Sequence, residues 1–481
     1  MSTTDLDSFV DAYVAALRDQ TAAVFAGAGL SIPTGMVDWR TLLRGIARDL
    51  GLDVAKETDL VTLAQFHVNE RRGRHQLNQA LIIEFNKRAK LSVNHELLAS
   101  LPIPTYWTTN YDALIEESLA KAGRLADVKR TVANLATTLP RRDAVVYKMH
   151  GDITQPEKAV VTKDDYEAYA STHQLLSTAL QGDLVSKTFL FIGFSFSDPN
   201  LSYILARIRL LLGENRREHY CLLRRVQKAD FAKAADYQYA KARQDLQVND
   251  LRRYGIIGIL VDSYQEYTEL LKRVGRRYRA SRIFISGSSV DYAPLGADNG
   301  PQLVNDLARS LILSGAGIVS GFGVGIGPLV VNGALEAAEK EGSRDLHDRL
   351  MLRPFPIAIA DQVARRKRWT AYRKEMMGAA GIAIFLFGEK QEDGKQVLAE
   401  GVIEEFEIAH ELGLTVIPVG VTGSAAKILH ERVLKDFKSY FPHSGYRKQF
   451  ESLAKPGTPG QILARVLDLV TKLQADQRIT A

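Results

Sequence analysis

Apolar residues along the first 280 positions alternate between short continuous runs and longer segments with helical spacing. The runs from Thr21 to Ala26, Ala144 to Met149, Thr188 to Gly193 and Ile256 to Val261 predict strands that are buried on both faces of a sheet. The segment from Leu6 to Arg18 repeats apolar side chains every three or four positions, which predicts a helix with one buried face. Strands and helices that alternate in this way indicate an α/β fold with a parallel sheet.

A block of helical patterns separates the first two predicted strands. It begins with Trp39 to Leu50, which Gly51 closes, and continues over Leu60 to Arg71, His75 to Lys87 and His95 to Leu101. We expect these segments to form a helical insertion in the first α/β unit.

The second half of the chain repeats the alternation of strands and helices. Strands are predicted at segments such as Arg282 to Gly287, Gly317 to Ser320 and Gly381 to Phe387, with helical patterns between them. The joint lacks a Gly/Ser-rich or Pro-rich linker. We therefore predict two Rossmann-like α/β domains, residues 1–280 and 281–481.

The composition excludes several classes of protein. Hydrophobic residues make up 46% of the 481 positions and charged residues 25%, as in globular proteins. No apolar stretch is long enough to cross a bilayer, and the first residues are polar and acidic, so we expect a cytoplasmic protein with no membrane partner. The net charge is +6, but basic and acidic residues are mixed along the chain, and we expect no nucleic-acid partner.

The chain contains one cysteine, Cys221, within an apolar run. A cysteine in such a run is most often a core residue. An intrachain disulfide is impossible, and a zinc site made of two Cys-X-X-Cys pairs is excluded because it needs four thiolates. We expect no bound metal.

Polar residues follow the ends of several predicted strands in the first half. The first strand breaks into Gly27-Ala28-Gly29-Leu30-Ser31, a turn that allows close backbone approach of a nucleotide phosphate. Because the carboxyl ends of parallel strands meet at one edge of a sheet, we expect the polar residues after the other strands to face the same crevice. These candidates are Asn110, Asp112, His150, Gly193 and Ser195.

Each of these residues also has a purely structural interpretation. Asn110 fits a turn position with unusual backbone angles, and His150 fits a turn histidine. Asp112 fits a helix cap better than a ligand contact. Asp198, followed by Pro199, is likewise expected to cap the next helix rather than to touch a ligand. The single motifs leave these alternatives open, whereas their joint occurrence favours catalysis.

The ordered set Gly-Ala-Gly-X-Ser, Thr-X-Asn-X-Asp, His-Gly and Gly-X-Ser resembles the sirtuin (Sir2) family over roughly the first 280 residues. The resemblance implies that NAD+ lies with its pyrophosphate over Gly27 to Gly29 and Ser31. It also implies that Asn110 and His150 flank the nicotinamide ribose as catalytic residues. The remaining expected contacts to NAD+ are Asp112, Gly193 and Ser195.

The missing zinc ligands separate this chain from protein-deacylating sirtuins, which generally carry a structural zinc module. Three functions remain open from the residues of the first half. They are an NAD+ hydrolase, an NAD-dependent protein deacylase, which the missing module disfavours, and a non-catalytic nucleotide-sensing scaffold.

The second half offers another place for an anionic nucleotide. A glycine-rich loop from Gly321 to Gly327 joins a predicted strand to a helix and presents backbone N–H groups. Together with Ser286-Gly287-Ser288, Tyr372-Arg373 and Glu405-Phe406, this loop resembles the nucleotide-sensing Rossmann-like domains called SLOG. The resemblance implies an activator site made of Ser286, Gly287, Ser288, Gly321, Gly323, Arg373, Lys390 and Glu405.

Charge and hydrogen bonding suggest roles within that site. Arg373 can hold a phosphate through its planar guanidinium, Lys390 adds a positive charge, and Glu405 can accept ribose hydroxyl groups. The segment Phe387-Gly388-Glu389-Lys390 stands where enzymatic SLOG members have Pro-Gly-Gly-X-Gly-Thr. We therefore expect ligand binding rather than phosphoribohydrolase chemistry in this half.

Nearly the whole chain resembles the effector proteins of the Thoeris antiphage system, which join a Sir2-like domain to a SLOG domain. The resemblance implies an NAD+ hydrolase that stays inactive until a cyclic ADP-ribose isomer, made by a partner TIR-domain enzyme, fills the SLOG site. It also implies a homotetramer or a larger assembly.

Overall fold

The computed structural model describes residues 3–87, 89–194, 196, 198–342, 346, 349–355, 361–441 and 444–476. The chain divides into two compact units, Met1–Gly275 (unit 1) and Arg276–Ala481 (unit 2). Each unit is built on its own parallel sheet, which confirms the predicted α/β class. Among the described helices, none combines the length and the apolar character that crossing a lipid bilayer requires.

A seven-stranded sheet organises unit 1. Its strands are β1 (Ala22–Ala26), β2 (Thr105–Thr108), β3 (Ala126–Lys129), β4 (Ala144–Lys148), β5 (Thr188–Ile192), β6 (His219–Arg224) and β7 (Ile256–Val261). They run parallel in the order β3-β4-β2-β1-β5-β6-β7, so β1 is central. All residues of β1 and β5 are buried, as expected for strands covered on both faces.

The helices of unit 1 connect these strands, and six of the described helices, α2 to α7, follow one another between β1 and β2. The helices are α1 (Thr3–Arg18), α2 (Ala28–Ser31), α3 (Trp39–Leu42), α4 (Arg44–Asp49), α5 (Leu60–Glu70), α6 (His75–Phe85), α7 (Val93–Ser100), α8 (Leu114–Lys121), α9 (Lys163–Thr172), α10 (Gln174–Ser186), α11 (Pro199–Leu212), α12 (Ala234–Arg252) and α13 (Tyr264–Ala280). The series α3 to α7 is the predicted helical insertion. The boundary between the units falls within α13.

Among the described residues of unit 1, one apolar core packs against the sheet and another lies in the insertion. Phe25, Trp107, Phe191 and Cys221 come from four strands and share one core, where Cys221 is fully buried, as its apolar surroundings predict. The insertion has its own core, which includes Tyr111 from the loop after β2. The insertion is thereby packed on a loop that carries candidate catalytic residues.

A five-stranded parallel sheet organises unit 2, and a two-stranded antiparallel hairpin accompanies it. The strands are β8 (Arg282–Ser288), β9 (Gly317–Ser320), β10 (Leu350–Leu352), β11 (Ile382–Phe387), β12 (Glu389–Glu392), β13 (Lys395–Leu398) and β14 (Thr415–Pro418). The sheet order is β10-β9-β8-β11-β14, and β12 pairs with β13. The carboxyl ends of β8, β9 and β11 are therefore neighbours.

The helices of unit 2 surround a core that includes Phe284, Phe385 and Phe406, each fully buried. The helices are α14 (Gly296–Leu313), α15 (Gly327–Lys340), α16 (Gln362–Met377), α17 (Glu400–Glu411), α18 (Ser424–Lys435), α19 (Phe437–Tyr440), α20 (Arg447–Ser452) and α21 (Pro459–Ala475). Most of them occupy segments in which apolar spacing predicts a helix.

The predicted single helix from Trp39 to Leu50 is wrong. The structure has two short helices, α3 and α4, which meet at Leu43, where the backbone has φ −84° and ψ 1°. Leu42 and Leu43 are adjacent in sequence, and both enter the insertion core. The break at Leu43 therefore falls at a buried apolar position, where apolar spacing gives no sign of it.

Strand β3 and the hairpin of β12 and β13 have no counterpart among the predicted elements. In β3 the inward positions hold Asp127 and Lys129, whose side chains pair at 2.9 Å and are less than a tenth exposed. A buried ion pair at alternate positions gives a polar sequence, so hydrophobic periodicity does not detect this strand.

Candidate functional site

A cavity of about 1180 Å³ opens at the carboxyl ends of the central strands of unit 1. Its walls come from the loops after β1, β2, β4 and β5 and from the insertion helices α3 and α5. Ser195, one of the predicted contacts, lies outside the described residues. The other residues predicted to contact NAD+ all line the cavity: Gly27, Ala28, Gly29, Ser31, Asn110, Asp112, His150 and Gly193.

Three glycines bring the loops after β1 and β5 into direct backbone contact. The N–H group of Gly27 donates to the carbonyl oxygen of Ile192 at 3.0 Å, and that of Gly29 donates to Gly193 at 2.9 Å. A Cβ atom on Gly193 would lie 2.2 Å from the nitrogen of Leu30, and the φ of Gly193 is +65°. The glycine pattern therefore exists because no side chain fits between the two loops.

Asn110 is anchored to the glycine turn. Its Nδ2 atom donates to the carbonyl oxygen of Gly27 at 3.2 Å and to Ser31 Oγ at 3.1 Å. Its backbone N–H donates to Thr108 Oγ1 at 3.0 Å, and the residue is 7% exposed. No described residue donates a hydrogen bond to the side-chain oxygen of Asn110. That oxygen is therefore available to a ligand in the cavity.

His150 follows β4 and faces the loop before α11. Its Nε2 atom lies 3.0 Å from Asp198 Oδ2, and both side chains are less than a tenth exposed. The other carboxylate oxygen of Asp198 accepts from the N–H of Leu201 at 2.9 Å, so Asp198 also caps α11, as predicted. Burial disfavours the charged form of Asp198, but His150 and the backbone N–H groups outweigh burial and lower the pKa of this carboxyl.

A fully buried lysine connects the loops that carry Asn110 and His150. The Nζ atom of Lys148 donates to the carbonyl oxygen of Asp112 and lies 3.4 Å from both Glu116 Oε1 and Asp152 Oδ2. Burial opposes the ionisation of Asp152, yet the charge of Lys148 and local hydrogen bonds outweigh it and lower the pKa of Asp152. The ammonium group thus holds the ends of β2 and β4 at a fixed separation.

In unit 2, Arg373 lies between two carboxylates. Its Nε atom donates to Glu405 Oε1 at 3.3 Å, and Nη1 donates to Glu404 Oε2 at 2.8 Å. Ser286 Oγ donates to the other oxygen of Glu405 at 2.7 Å. Burial raises the pKa of Glu405, although the hydrogen bonds from Ser286 and Arg373 favour its charged form. The structure thus brings together Ser286, Arg373 and Glu405.

Aromatic rings complete the surroundings of Arg373. The guanidinium carbon lies 4.7 Å from the ring centre of Phe355 and 6.0 Å from that of Trp369. A Cβ atom on Gly321 would lie 2.9 Å from Phe355, so the glycine leaves room for the ring. Arg373 is 6% exposed as a result.

The other predicted activator contacts lie at the ends of β8 and β9 and on the hairpin. A Cβ atom on Gly323 would lie 2.0 Å from the carbonyl oxygen of Gly287, so these two loops also touch through their backbones. Ser288 Oγ donates to the main chain of the hairpin at 2.7 Å. Lys390 lies on β12, where it pairs with Glu392 at 3.0 Å and is separate from the Arg373 cluster.

Family models match parts of both units. The SIR2-like domain model matches residues 104–246. The model of the Sir2- and TIR-associating SLOG family matches residues 266–473. These matches confirm the two resemblances that the motifs indicate.

Curated relatives match over nearly the full length. NAD(+) hydrolase ThsA of Acinetobacter baumannii is 44% identical over 470 residues, which cover 96% of this chain and 98% of the relative. NAD(+) hydrolase ThsA of Bacillus cereus is 44% identical over 443 residues, which cover 92% of each chain. This chain belongs to the ThsA family of NAD(+) hydrolases. A more distant match, Defense-associated sirtuin 2 of Bacillus subtilis, is 30% identical over 122 residues, 25% of this chain and 12% of that protein.

Three residues of the candidate sites make contacts that the sequence motifs did not predict. Asp198 is predictable as a cap, but its contact with His150 joins residues 48 positions apart in sequence. Lys148 reads as the end of a strand, and its burial among carboxylates is a tertiary feature. Glu404 reads as a surface charge next to Glu405. In the described part of the chain, no group of three or more His, Cys, Asp or Glu side chains is arranged to hold a metal ion.

Proposed function

We propose that this chain is an antiphage defence effector that hydrolyses NAD+ to ADP-ribose and nicotinamide when a cyclic ADP-ribose isomer binds unit 2. The observation that carries the proposal is the shared cavity of unit 1, which is lined by the glycine turn, Asn110 and His150. Its volume of about 1180 Å³ is slightly larger than that of most small-molecule sites and suits a dinucleotide. The name NAD(+) hydrolase, given to the full-length relatives, supports the same substrate.

The bond to be broken, between C1′ of the ribose and the nicotinamide nitrogen of NAD+, determines which groups the protein has to supply. Cleavage of the C1′–N bond returns the bonding electrons to the pyridinium nitrogen, so nicotinamide leaves as a neutral molecule without an acid. Positive charge builds up on the ribose, and the oxygen of a water molecule attacks C1′. The water then loses one proton, which a neutral histidine near the attacking oxygen can accept.

Asn110 and His150 are suited to these tasks. The side-chain oxygen of Asn110 can hold a ribose hydroxyl or the attacking water, because its Nδ2 is already fixed by Gly27 and Ser31. His150 can serve as the base for that water. The turn from Gly27 to Ser31 is the proposed position of the pyrophosphate, and Asp112 and Gly193 belong to the same wall.

Unit 2 is the proposed sensor. Arg373 would bind a phosphate of the activator, Glu405 and Ser286 its ribose hydroxyls, and the backbone at Gly287, Ser288, Gly321 and Gly323 would approach it closely. Lys390, which lies on the hairpin, would reach the ligand only by leaving Glu392. An activator can switch the enzyme only through a difference in its affinity for the resting and the active state.

The proposal includes a biological setting. A TIR-domain enzyme would supply the cyclic ADP-ribose isomer, and the effector would act in the cytoplasm as a homotetramer or a larger assembly. Control by a ligand makes physical sense, because an NAD+ hydrolase that is always active would deplete the NAD+ of its own cell.

A protein deacylase and a non-catalytic scaffold are the competing functions. The single cysteine leaves the chain without the thiolates of the zinc module that deacylating sirtuins carry. A scaffold would have no use for an asparagine and a histidine placed in one cavity with a glycine turn.

Nicotinamide release by the purified full chain separates these functions. NAD+ is supplied with no addition, with a cyclic ADP-ribose isomer, or with an acetylated peptide, and nicotinamide and ADP-ribose are quantified. We expect release only with the cyclic isomer, and we expect Arg373→Ala to lose that response. Release that depends on the acetylated peptide would favour a deacylase, and silence under all conditions would favour a scaffold.

A further inference from the structure

The two carboxylate oxygens of Asp198 contact different groups. Oδ1 accepts from the backbone N–H of Leu201 at 2.9 Å and caps α11. Oδ2 lies 3.0 Å from Nε2 of His150 and 3.4 Å from the hydroxyl group of Tyr166. Capping α11 uses Oδ1 only. The position of Oδ2 beside His150 therefore needs a separate explanation.

The surroundings of His150 make Asp198 the source of negative charge at the imidazole. Tyr166 and Tyr169 from α9 face the ring edge-on at 5.5 and 6.2 Å, and burial raises the pKa of both hydroxyl groups, so they are neutral at pH 7. Burial, with a smaller contribution from His150, lowers the pKa of the nearby His173, which is also neutral. Of these four groups, Asp198 alone is charged at neutral pH.

We propose that Asp198 is a positioning residue for His150: its Oδ2 accepts the Nε2–H of the imidazole and leaves Nδ1 free to take the proton of the attacking water. The inference rests on the proposed NAD+ hydrolysis. His150 lines the cavity, and no described residue forms a hydrogen bond with its Nδ1 atom.

The geometry before substrate binding is compatible with this role. Nε2 and Oδ2 are within ion-pair distance, although the direction of the N–H group falls short of a well-aligned hydrogen bond. Hydrogen bonds between catalytic groups are often loose without substrate and tighten in the reacting complex. A carboxylate in this position also stabilises the imidazolium ion that forms when the base takes up its proton.

The variant Asp198→Asn separates the two contacts. Asparagine caps helices as well as aspartate does, so its side-chain oxygen can stay on Leu201 and α11 keeps its cap. The amide NH2 group would then face Nε2, which has to accept a hydrogen bond, and the proton of the neutral imidazole moves to Nδ1. The ring would present an N–H donor where the reaction needs a base.

We expect Asp198→Asn to lower kcat for activated NAD+ hydrolysis by about 10- to 1000-fold with little change in KM. Its melting temperature should stay close to that of the unaltered chain.

The matched control is Asp361→Asn, which makes the same exchange at the N-cap of α16, on a residue that does not line the cavity. Asp361 Oδ1 accepts from the N–H of Ala364 at 2.6 Å. We expect the kcat of this variant, at saturating activator, to match that of the unaltered chain.

The outcomes distinguish the inference from the function on which it rests. If the unaltered chain releases nicotinamide and Asp198→Asn keeps its kcat, Asp198 is a cap only and the inference is wrong. An equal fall of kcat in Asp361→Asn would also overturn it. If the unaltered chain releases no nicotinamide with the activator, the proposed function fails and the inference fails with it.

Discussion

Asn110 and Gly27 are joined by a hydrogen bond of 3.2 Å from the side-chain Nδ2 to the backbone carbonyl oxygen. The contact links the loop after β2 to the turn after β1, although the two residues are 83 positions apart in sequence. It fixes the orientation of the amide, whose oxygen accepts no hydrogen bond from a described residue. The turn that would hold the pyrophosphate and the amide that would hold the ribose are therefore one rigid arrangement.

The backbone contact between Gly193 and the turn gives a prediction about stability. Gly193→Ala places a Cβ atom 2.2 Å from the nitrogen of Leu30 at a positive φ, and we expect it to lower the unfolding free energy by about 2 kcal/mol or more. Gly182→Ala is the control, because its Cβ atom meets nothing within 4 Å inside α10, and we expect about 0.5–1 kcal/mol of stabilisation. Urea unfolding measures both, and equal effects would contradict the proposed fit.

The contact between Arg373 and Glu404 gives a prediction about the proposed activator site. Glu404 is partly exposed and pairs with the guanidinium that would hold a phosphate of the proposed activator. We expect Glu404→Gln to free Arg373 and to lower the Kd of the cyclic ADP-ribose isomer by about 3- to 10-fold, because a competing charge is removed.

The control for that experiment is Glu411→Gln, which removes the exposed pair with Lys374 between the same two helices. We expect its Kd, measured by calorimetry, to match that of the unaltered chain. Weaker binding by Glu404→Gln would mean that Glu404 contacts the ligand itself and does not compete with it.

Buried His219 predicts a pH dependence of stability. Burial, with a smaller effect of Arg217, lowers the pKa of His219 to about 4 from its ordinary 6.5. The unfolded chain takes up a proton near pH 6.5 while the native state does not, so this contribution is complete above pH 6.5 and is lost as the pH falls toward 4. We expect about 2 kcal/mol of this stability to be lost between pH 7.5 and pH 5.

The variant His219→Asn isolates that contribution. Its amide oxygen can accept the backbone hydrogen bond from Phe189 that Nδ1 of His219 accepts at 3.2 Å, but it does not titrate. Unfolding free energies at the two pH values should differ less in the variant than in the unaltered chain. An identical pH dependence in the two proteins would show that His219 is not the group responsible.

Local patterns of apolar residues predicted much of the fold. The apolar runs at β1, β5 and β7 predict strands because both faces of a central parallel strand are buried. Strand β3 was not predicted because it buries Asp127 and Lys129 as an ion pair. A charged residue in the sequence is normally taken as exposed, and nothing local shows that these two are buried.

In the candidate site, too, local features were predictable and long-range contacts were not. The loops that line the cavity follow from motifs at strand ends, whereas the contacts that orient the side chains link distant segments. The pairs His150 with Asp198 and Lys148 with Asp152 depend on how those segments pack. Capping explained Asp198 by a contact three residues away, and nothing in the local pattern pointed to its second partner.

The most direct test of the proposed chemistry is nicotinamide release from NAD+ by the full chain with the cyclic ADP-ribose isomer, compared between the unaltered protein and Asn110→Asp. The variant keeps the size of the side chain but loses the donor that fixes it on Gly27 and Ser31. We expect the unaltered chain to release nicotinamide and the variant, with its fold verified by thermal melting, to be slower by about 100-fold or more. Equal rates would contradict the assignment of this cavity as the place where NAD+ is cleaved.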